Sequence, residues 1–334
     1  MMVDVSVIIP AHNRLWALPE SVESCRGTTC RTEIIVVDDG SDDGTWEWLQ
    51  KQSDVVAMRS HRWGKPWAVN KAFKYAQGKY VRFLDSDDWL PDGVIDGQFQ
   101  MAEESCADLV VAGQMIFRDG GLEETRQWTY CDDFIAQQLG ECDSSHYSAF
   151  LFRRDFIEDI PHRTAFGAAD FASRDDRCFM IEVALAEPHY VVYPEPGLCH
   201  RHHSTDRLQF AQGLRDVGTN IQHLLIYRQA LGILADRGEL TERRKKAAIK
   251  VLWPLAHWIA RTHPREGEEV AAWVHELDPT FSPPEKGALS LMYARLGFRW
   301  TERVLAARRR MIGPFRRRSN QYRSLGLLTK PTER

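Results

Sequence analysis

The chain has 334 residues, 43% of them hydrophobic and 27% charged, with a formal net charge of −4. This is the composition of a soluble globular protein with room for one large domain or two ordinary ones. The net charge singles out no nucleic-acid partner, and no stretch reaches the ~18 apolar residues of a membrane span.

The opening "MMVDVSVIIPAHNR" lacks a basic region followed by a long apolar one, so no signal peptide is expected. Seven cysteines (Cys25, Cys30, Cys106, Cys131, Cys142, Cys178, Cys199) are odd in number, scattered and without a CxxC pair. They read as reduced thiols of a cytoplasmic protein.

Four short apolar runs follow in order: "VSVIIP" (5–10), "EIIVVDD" (33–39), "YVRFLD" (80–85) and "ADLVVAG" (107–113), with "VVAMRS" (55–60) a weaker candidate. Near-continuous Val, Ile and Leu suit strands covered on both faces, as in a parallel sheet. Helices are expected between them. "SVESC" follows Pro19, "GTWEWLQKQ" follows a turn, and "PWAVNKAFKYAQG" closes on Gly78, read as a C-terminal helix glycine. Alternating strands and helices predict an α/β doubly wound sheet. Ligands of such sheets bind beyond the carboxyl ends of the strands. "PAHNR", "DDGSDDGT" and "DSDD" each follow a strand, so all three should line one edge.

From about residue 206 the texture is helical. "VGTNIQHLLIYRQAL" places Val217, Ile221, Leu224 and Leu225 on one face, and "EEVAAWVHEL" does the same with Val270, Trp273, Val274 and Leu277. "SPPEKGALSLMYARLG" reads as a helix opened by a Ser282/Glu285 capping box with Pro283 at its first position, and closed by Gly297. Residues 301–330 carry nine Arg or Lys against the single acid Glu302, a charge of +8 that leaves −12 for the rest. "ERVLAARRRMIGPFRRRS" puts Val304, Leu305, Met311 and Ile312 on one face of a helix ended by Pro314. Two readings compete for it. One is a terminal helix packed on the acidic remainder, preferred because charge runs are usually solvated faces. The other is a peripheral helix docked on anionic lipid.

Asp85, Asp87 and Asp88 at i, i+2 and i+3 suit a hard cation, since magnesium and manganese take oxygen ligands from carboxylates and substrate phosphates. A solvated Asp-rich turn before the helix after Pro91 is the plain alternative.

"VSVIIPAHNR", "EIIVVDDGSDDGT", "GKPWAVNKAFKYAQGKYVRFLDSDD" and "RDDRCFMIEVAL" together resemble the family 2 glycosyltransferases, inverting enzymes of the GT-A fold that use nucleotide-diphosphate sugars. The resemblance implies a Rossmann-like doubly wound mixed sheet, with residues 1–205 as the catalytic domain and 206–334 as a helical region with a basic tail. It further implies Mn2+ or Mg2+, with Asp87 on the ion and Asp85 on the ribose or the ion's water shell. Asp88 would brace the loop. Asp39 would meet the N–H of a uracil ring, UDP-sugar being favoured, while Asp38 serves the turn. Pro10, Ala11, Asn13, Arg14 and Ser86 would wall the nucleoside pocket, and Lys65 would lie near base or diphosphate unless it is an ordinary exposed lysine.

In "SRDDRCFMIEVAL" the resemblance makes Asp176 the general base that takes the acceptor hydroxyl proton, with Asp175 supporting the loop. Helix N-capping is the plain alternative for both. "LCHRHHSTDRL" is similar to a family segment that folds over the diphosphate, which makes His203, with His202 as alternate, a further metal ligand. His200 stands where the family usually has Tyr. Three histidines without an ordered Cys partner set do not make a zinc site. Trp63, Trp67, Trp89 and Trp128 could stack on sugars or fill core.

Processive membrane synthases of the family carry Gln-x-x-Arg-Trp; here Arg299–Trp300 has Leu296 in place of the Gln, and such a synthase is not expected. The expected activity is transfer of a single sugar to a hydroxyl acceptor such as a glycan, lipid-linked sugar, natural product or protein. The alternatives are a non-catalytic sugar-nucleotide-binding scaffold, a sugar-nucleotide nucleotidyltransferase and a nucleic-acid binder resting on the basic tail. "PAHNR" lacks the glycine-rich loop that a nucleotidyltransferase needs.

Overall fold

The computed structural model describes residues 3–118, 120–142, 145–162, 175–203 and 217–312. The chain divides into two compact units, residues 1–138 with 142–211, and residues 139–141 with 212–334. The boundary expected at 205/206 falls outside the described residues.

The first unit opens with β1 (Val5–Ala11), α1 (Leu18–Glu23), β2 (Thr32–Asp38), α2 (Thr45–Leu49), β3 (Val55–Arg59), α3 (Lys65–Phe73), β4 (Tyr80–Phe83) and α4 (Val94–Ser105). It continues through β5 (Leu109–Val111), β6 (Gln114–Arg118), β7 (Gly121–Arg126), α5 (Phe134–Leu139), β8 (Leu151–Arg153), α6 (Asp175–Leu185), β9 (Tyr190–Val192) and β10 (Cys199–His202). Seven strands form one mixed sheet in the order β3-β2-β1-β4-β8-β5-β9. β1 runs parallel to β2 and β4, and β8 is antiparallel to both of its neighbours. Every residue of β1 is buried, which is why its sequence shows no polar alternation. Strand order reverses at β1, with β2 on one side and β4 on the other, and the three acidic and polar loops leave the sheet at this switch point.

A second sheet, β10-β6-β7, stands apart from the first. β10 lies parallel to β6, with Cys199 opposite Met115 and His202 opposite Arg118. Trp89, next to the "DSDD" turn, bridges to Cys199. Arg82 in β4 is fully buried and donates to Gln98 and the Gly197 carbonyl. Burial pushes its guanidinium down to about 10.

Gly78 does not end a helix, since α3 stops at Phe73. Its N–H donates to Ser6 Oγ at 2.8 Å, and a Cβ there would sit 2.5 Å from Ser6 N. The glycine is required by the close approach to β1.

The second unit contains α7 (Val217–Asp236), α8 (Glu242–Ala260), α9 (Pro264–Leu277) and α10 (Ala288–Ile312). The sequence pattern missed α8, whose start is a run of charges and whose interior holds Pro254. Its N-cap Thr241 accepts from Arg244 N at 3.3 Å. The capping box expected at Ser282 and Glu285 does not form. Pro284 biases Pro283 away from helical geometry, Gly287 takes φ 65°, and the helix starts only at Ala288. Glu285 instead accepts from Trp253 Nε1 at 3.0 Å. Gly297, at φ 71° and ψ 174°, breaks α10 into two segments. Among the described residues no helix is long and apolar enough to cross a membrane.

Candidate active site

The "DSDD" turn leaves β4 as a compact knot. Asp88 N donates to the Asp85 carbonyl at 3.0 Å, and Ser21 Oγ of α1 holds the Asp88 and Ser86 carbonyls at 2.5 and 3.1 Å. Crowded carboxylates need counter-charge or hydrogen-bond donors when desolvated, and each receives its own partners. Asp85 meets Lys65 Nζ at 2.7 Å. Burial alone would raise the Asp85 carboxyl, but Lys65 and His146 outweigh it and hold it far below the usual range. Burial would likewise lower Lys65, yet Asp85 and the neighbouring acids keep it firmly protonated. Lys65 is thus an ion-pair partner of the cluster and no ordinary exposed lysine.

Asp87 Oδ2 lies 2.8 Å from His203 Nε2 and 3.5 Å from Arg14 Nε. Against burial, the His203 hydrogen bond and the Arg14 charge lower this carboxyl. Asp88 is almost wholly buried, with Oδ2 at 2.9 Å from His200 Nδ1 and Oδ1 accepting from Arg201 N at 2.8 Å. Arg201 also donates to the Asp87 carbonyl at 3.0 Å and stacks on Trp89. His200, Arg201 and His203 of the segment "LCHRHHSTDRL" therefore clasp the acidic turn. His202 does not join them: its Nδ1 pairs with Arg118 at 2.9 Å, 3.8 Å from Glu123.

At the neighbouring strand ends, Pro10 and Ala11 close β1. Asn13, at φ 51°, ties its loop to the next one through Ser41 Oγ at 2.9 Å and Asp42 N at 2.9 Å. Asp38 accepts from Ser41 N at 3.2 Å and pairs with Arg59, so it builds the turn. Asp39 accepts from Ser60 Oγ, from Trp63 N at 2.9 Å and from Gly64 N at 2.7 Å. A carboxylate has about four acceptor sites, so Asp39 keeps one while clasping the loop that leads into Lys65. Among the tryptophans, Trp128 is core against Phe134 and Phe150, and Trp63 is exposed, edge-on to Trp67.

Asp175 and Asp176 open α6. Asp175 is buried 3.5 Å from His162 Nδ1, a ring stacked on Phe179. Asp176 Oδ2 faces a residue that sequence reasoning missed. His146 Nε2 lies 3.7 Å from Asp85 Oδ2 and 3.7 Å from Asp176 Oδ2. Its Nδ1 accepts from Ser148 N at 3.3 Å, which places the ring proton on Nε2, between the two carboxylates. The only sequence signal was a histidine in "SSHYSAF", with no spacing to mark it.

Ligand atoms of Asp85, Asp88 and His146 lie within 4.8 Å of one another, close enough for one cation. The hydrogen bonds argue for a different donor set. Both Asp88 oxygens are engaged, and a metal on His146 Nε2 would move the ring proton to Nδ1, against the Ser148 N–H. Asp87 Oδ1 accepts no bond among the described residues. Asp85 and Asp87, all oxygen donors, fit Mn2+ or Mg2+ better.

A switch-point α/β sheet whose carboxyl edge gathers acids, a lysine and histidines defines the GT-A class of nucleotide-sugar folds. Residues 6–161, just under half of the chain, match the sequence model of the family described as Glycosyl transferase family 2. The chain is 37% identical over 103 residues to WfaP of Escherichia coli, named as a UDP-Glc:alpha-D-GlcNAc-diphosphoundecaprenol beta-1,3-glucosyltransferase, covering 30% of this chain and 41% of that one. It is 30% identical over 175 residues to the GalNAc(5)-diNAcBac-PP-undecaprenol beta-1,3-glucosyltransferase of Campylobacter jejuni, covering 48% and 56% respectively. The chain thus spans about half the length of the curated relatives it matches. In fold it is similar to S. aureus TarS 1-349 solved with UDP-GlcNAc, with a TM-score of 0.52 at 16% identity, covering 92% of each chain.

Proposed function

We propose that this chain is a metal-dependent inverting glycosyltransferase moving one sugar from a nucleoside-diphosphate donor, a UDP-sugar by preference, to an acceptor hydroxyl. One observation carries the reading. Acids from motifs 91 positions apart, Asp85 and Asp176, meet at a single imidazole nitrogen 3.7 Å from each. Such convergence suits a reaction that needs a leaving-group site and a base side by side.

Asp87 and Asp85 would hold Mn2+ or Mg2+, with His203 fixing the Asp87 carboxylate. When bound, the ion supplies Lewis-acid stabilisation of the departing nucleoside diphosphate. Arg14 and Lys65 add fixed positive charge beside those acids. Pro10, Ala11, Asn13, Asp39 and Ser86 would bound the nucleoside. Asp176 takes the proton of the acceptor hydroxyl as its oxygen bonds to the anomeric carbon and the bond to the diphosphate breaks. One displacement inverts the configuration.

Both relatives quoted act, by name, on undecaprenol-diphosphate-linked sugars, so a lipid-linked saccharide is the acceptor class to try first. Such an acceptor suits a cytoplasmic protein at the inner membrane face.

The test is turnover of UDP-Glc and UDP-GlcNAc with manganese, with and without chelator, in the parent, Asp87→Asn and Asp176→Asn. Chelator and Asp87→Asn should abolish turnover. Asp176→Asn should keep donor binding and lose at least about 10²–10⁴-fold in rate. Full activity in chelator, or a product with the donor's anomeric configuration by proton NMR, would sink the proposal.

A further inference from the structure

Of the ten large apolar side chains that stand exposed among the described residues, four lie on one element: Leu291, Leu296, Trp300 and Val304 of α10, 57%, 46%, 56% and 48% exposed. Beyond the Gly297 break the inward side of the helix is mixed: Phe298 packs on Trp253 and Tyr293, Thr301 is fully buried and Glu302 is 4% exposed. Glu302 accepts from Tyr293 Oη at 2.8 Å and lies 2.8 Å from His257 Nδ1. Its outward side carries Trp300 and Val304, one turn apart, with the exposed Ala307 next in that phase. Large apolar side chains turned to solvent depart from the usual amphipathic arrangement of a soluble helix.

Charge follows the same division at the described side chains: Glu302 faces inward, while Arg303 and Arg308 are exposed. In sequence, residues 301–330 hold nine basic residues and no acid besides Glu302. Arg303 lies over the Trp300 ring at 4.6 Å, and Arg308 is exposed on the other flank of the stripe. An apolar stripe edged by guanidinium groups on long stems matches the boundary of a bilayer, where the stripe sinks among acyl chains and the arginines reach phosphate.

We propose that the outward face of α10 between residues 296 and 308 is a docking surface for an anionic lipid membrane. A second copy of this chain is disfavoured as occupant, because two such basic faces would repel. Nucleic acid would engage the arginines but leave Trp300 and Val304 in water. The proposal stands apart from the transferase reading, because binding is measured without donor or acceptor.

The experiment is co-sedimentation of the full chain with phosphatidylcholine vesicles, with and without one-third phosphatidylglycerol, at low and high salt. The expected result is binding to the anionic vesicles only, lost at high salt. The Trp300→Ser/Val304→Ser pair should weaken that binding at least about tenfold, and Arg303→Gln/Arg308→Gln should remove most of its salt dependence. Because both pairs are exposed, circular dichroism and turnover of donor should be unchanged. In the unmutated chain, anionic vesicles should slow amide exchange across residues 298–312. No binding, no such protection, or undiminished binding by the Ser/Ser variant overturns the proposal. So does a parent that is dimeric by light scattering and becomes monomeric on the same change.

Discussion

His146 sits between two acids. Its Nδ1 is committed to the Ser148 N–H, so Nε2–H is left to face Asp85 and Asp176 at 3.7 Å from each, and the ring spaces Asp176 from Asp85. His146→Ala should lower kcat about 10–100-fold while leaving donor KM within a few-fold, since misplacing a base harms the transition state more than ground-state binding. His146→Gln, which can still donate to one acid, should recover part of the loss. A KM effect with unchanged kcat would show that the ring serves donor binding instead. A second residue-scale test concerns pH. Burial would raise Asp96, but the Cys30 and Thr29 N–H groups, 2.9 to 3.0 Å away, outweigh it and lower its carboxyl. The folded pKa lies below the unfolded one, so this stabilisation is complete above the unfolded value near 4 and fades as pH falls through the folded value. Asp96→Asn should therefore cost about 1 kcal/mol at neutral pH, with the difference from the parent closing in acid. Urea melts at pH 7 and pH 3 check it; a constant difference refutes the charge-based account.

At the scale of elements, what the sequence made legible followed burial. β1, β2 and β4 read clearly because both faces are covered and their runs are nearly all apolar. Placing "PAHNR", "DDGSDDGT" and "DSDD" at strand ends then followed from topology alone. β7 is exposed along its whole length, and β10 spells Cys-His-Arg-His, so neither has a pattern to detect. Yet β10 is what carries His200 and Arg201 to the acidic turn, and no local rule reports a contact made 112 residues away. Composition misled in two places: the capping box was stopped by a second proline, and Gly78 proved to be a packing glycine. Gly78→Ala tests the latter. With Ser6 N only 2.5 Å from the new Cβ, the backbone of β1 has to move, and a loss of about 1–3 kcal/mol is expected. A loss under about 0.5 kcal/mol in a urea melt contradicts the packing account.

The whole molecule joins a unit bearing the acidic cluster to a helical unit whose last described helix turns arginines outward. Binding acts on these differently. On the proposed reading a donor and its cation would bind only the folded first unit and stabilise it by mass action, about 2.7 kcal/mol at a hundredfold excess over Kd. Calorimetry with UDP-Glc or UDP-GlcNAc and manganese should raise the transition of that unit. If the two units melt separately, the other transition should stay in place. Either component alone should give much the smaller shift, because a cation at the proposed site would neutralise acids that otherwise repel the diphosphate. Asp87→Asn should melt near the parent temperature without ligand, since that carboxylate is partly exposed and its loss removes no core contact. It should show no joint shift. A variant that keeps the joint shift would place the cation on other residues, with Asp88 and His146 the nearest alternatives to Asp87. Asp88→Asn then separates them: Asp88 accepts from His200 and from Arg201 N, so its amide should lower the ligand-free melting temperature whether or not it binds the ion. A fall in the ligand-free transition with the joint shift intact identifies a bracing residue; the same fall with the joint shift lost identifies a ligand.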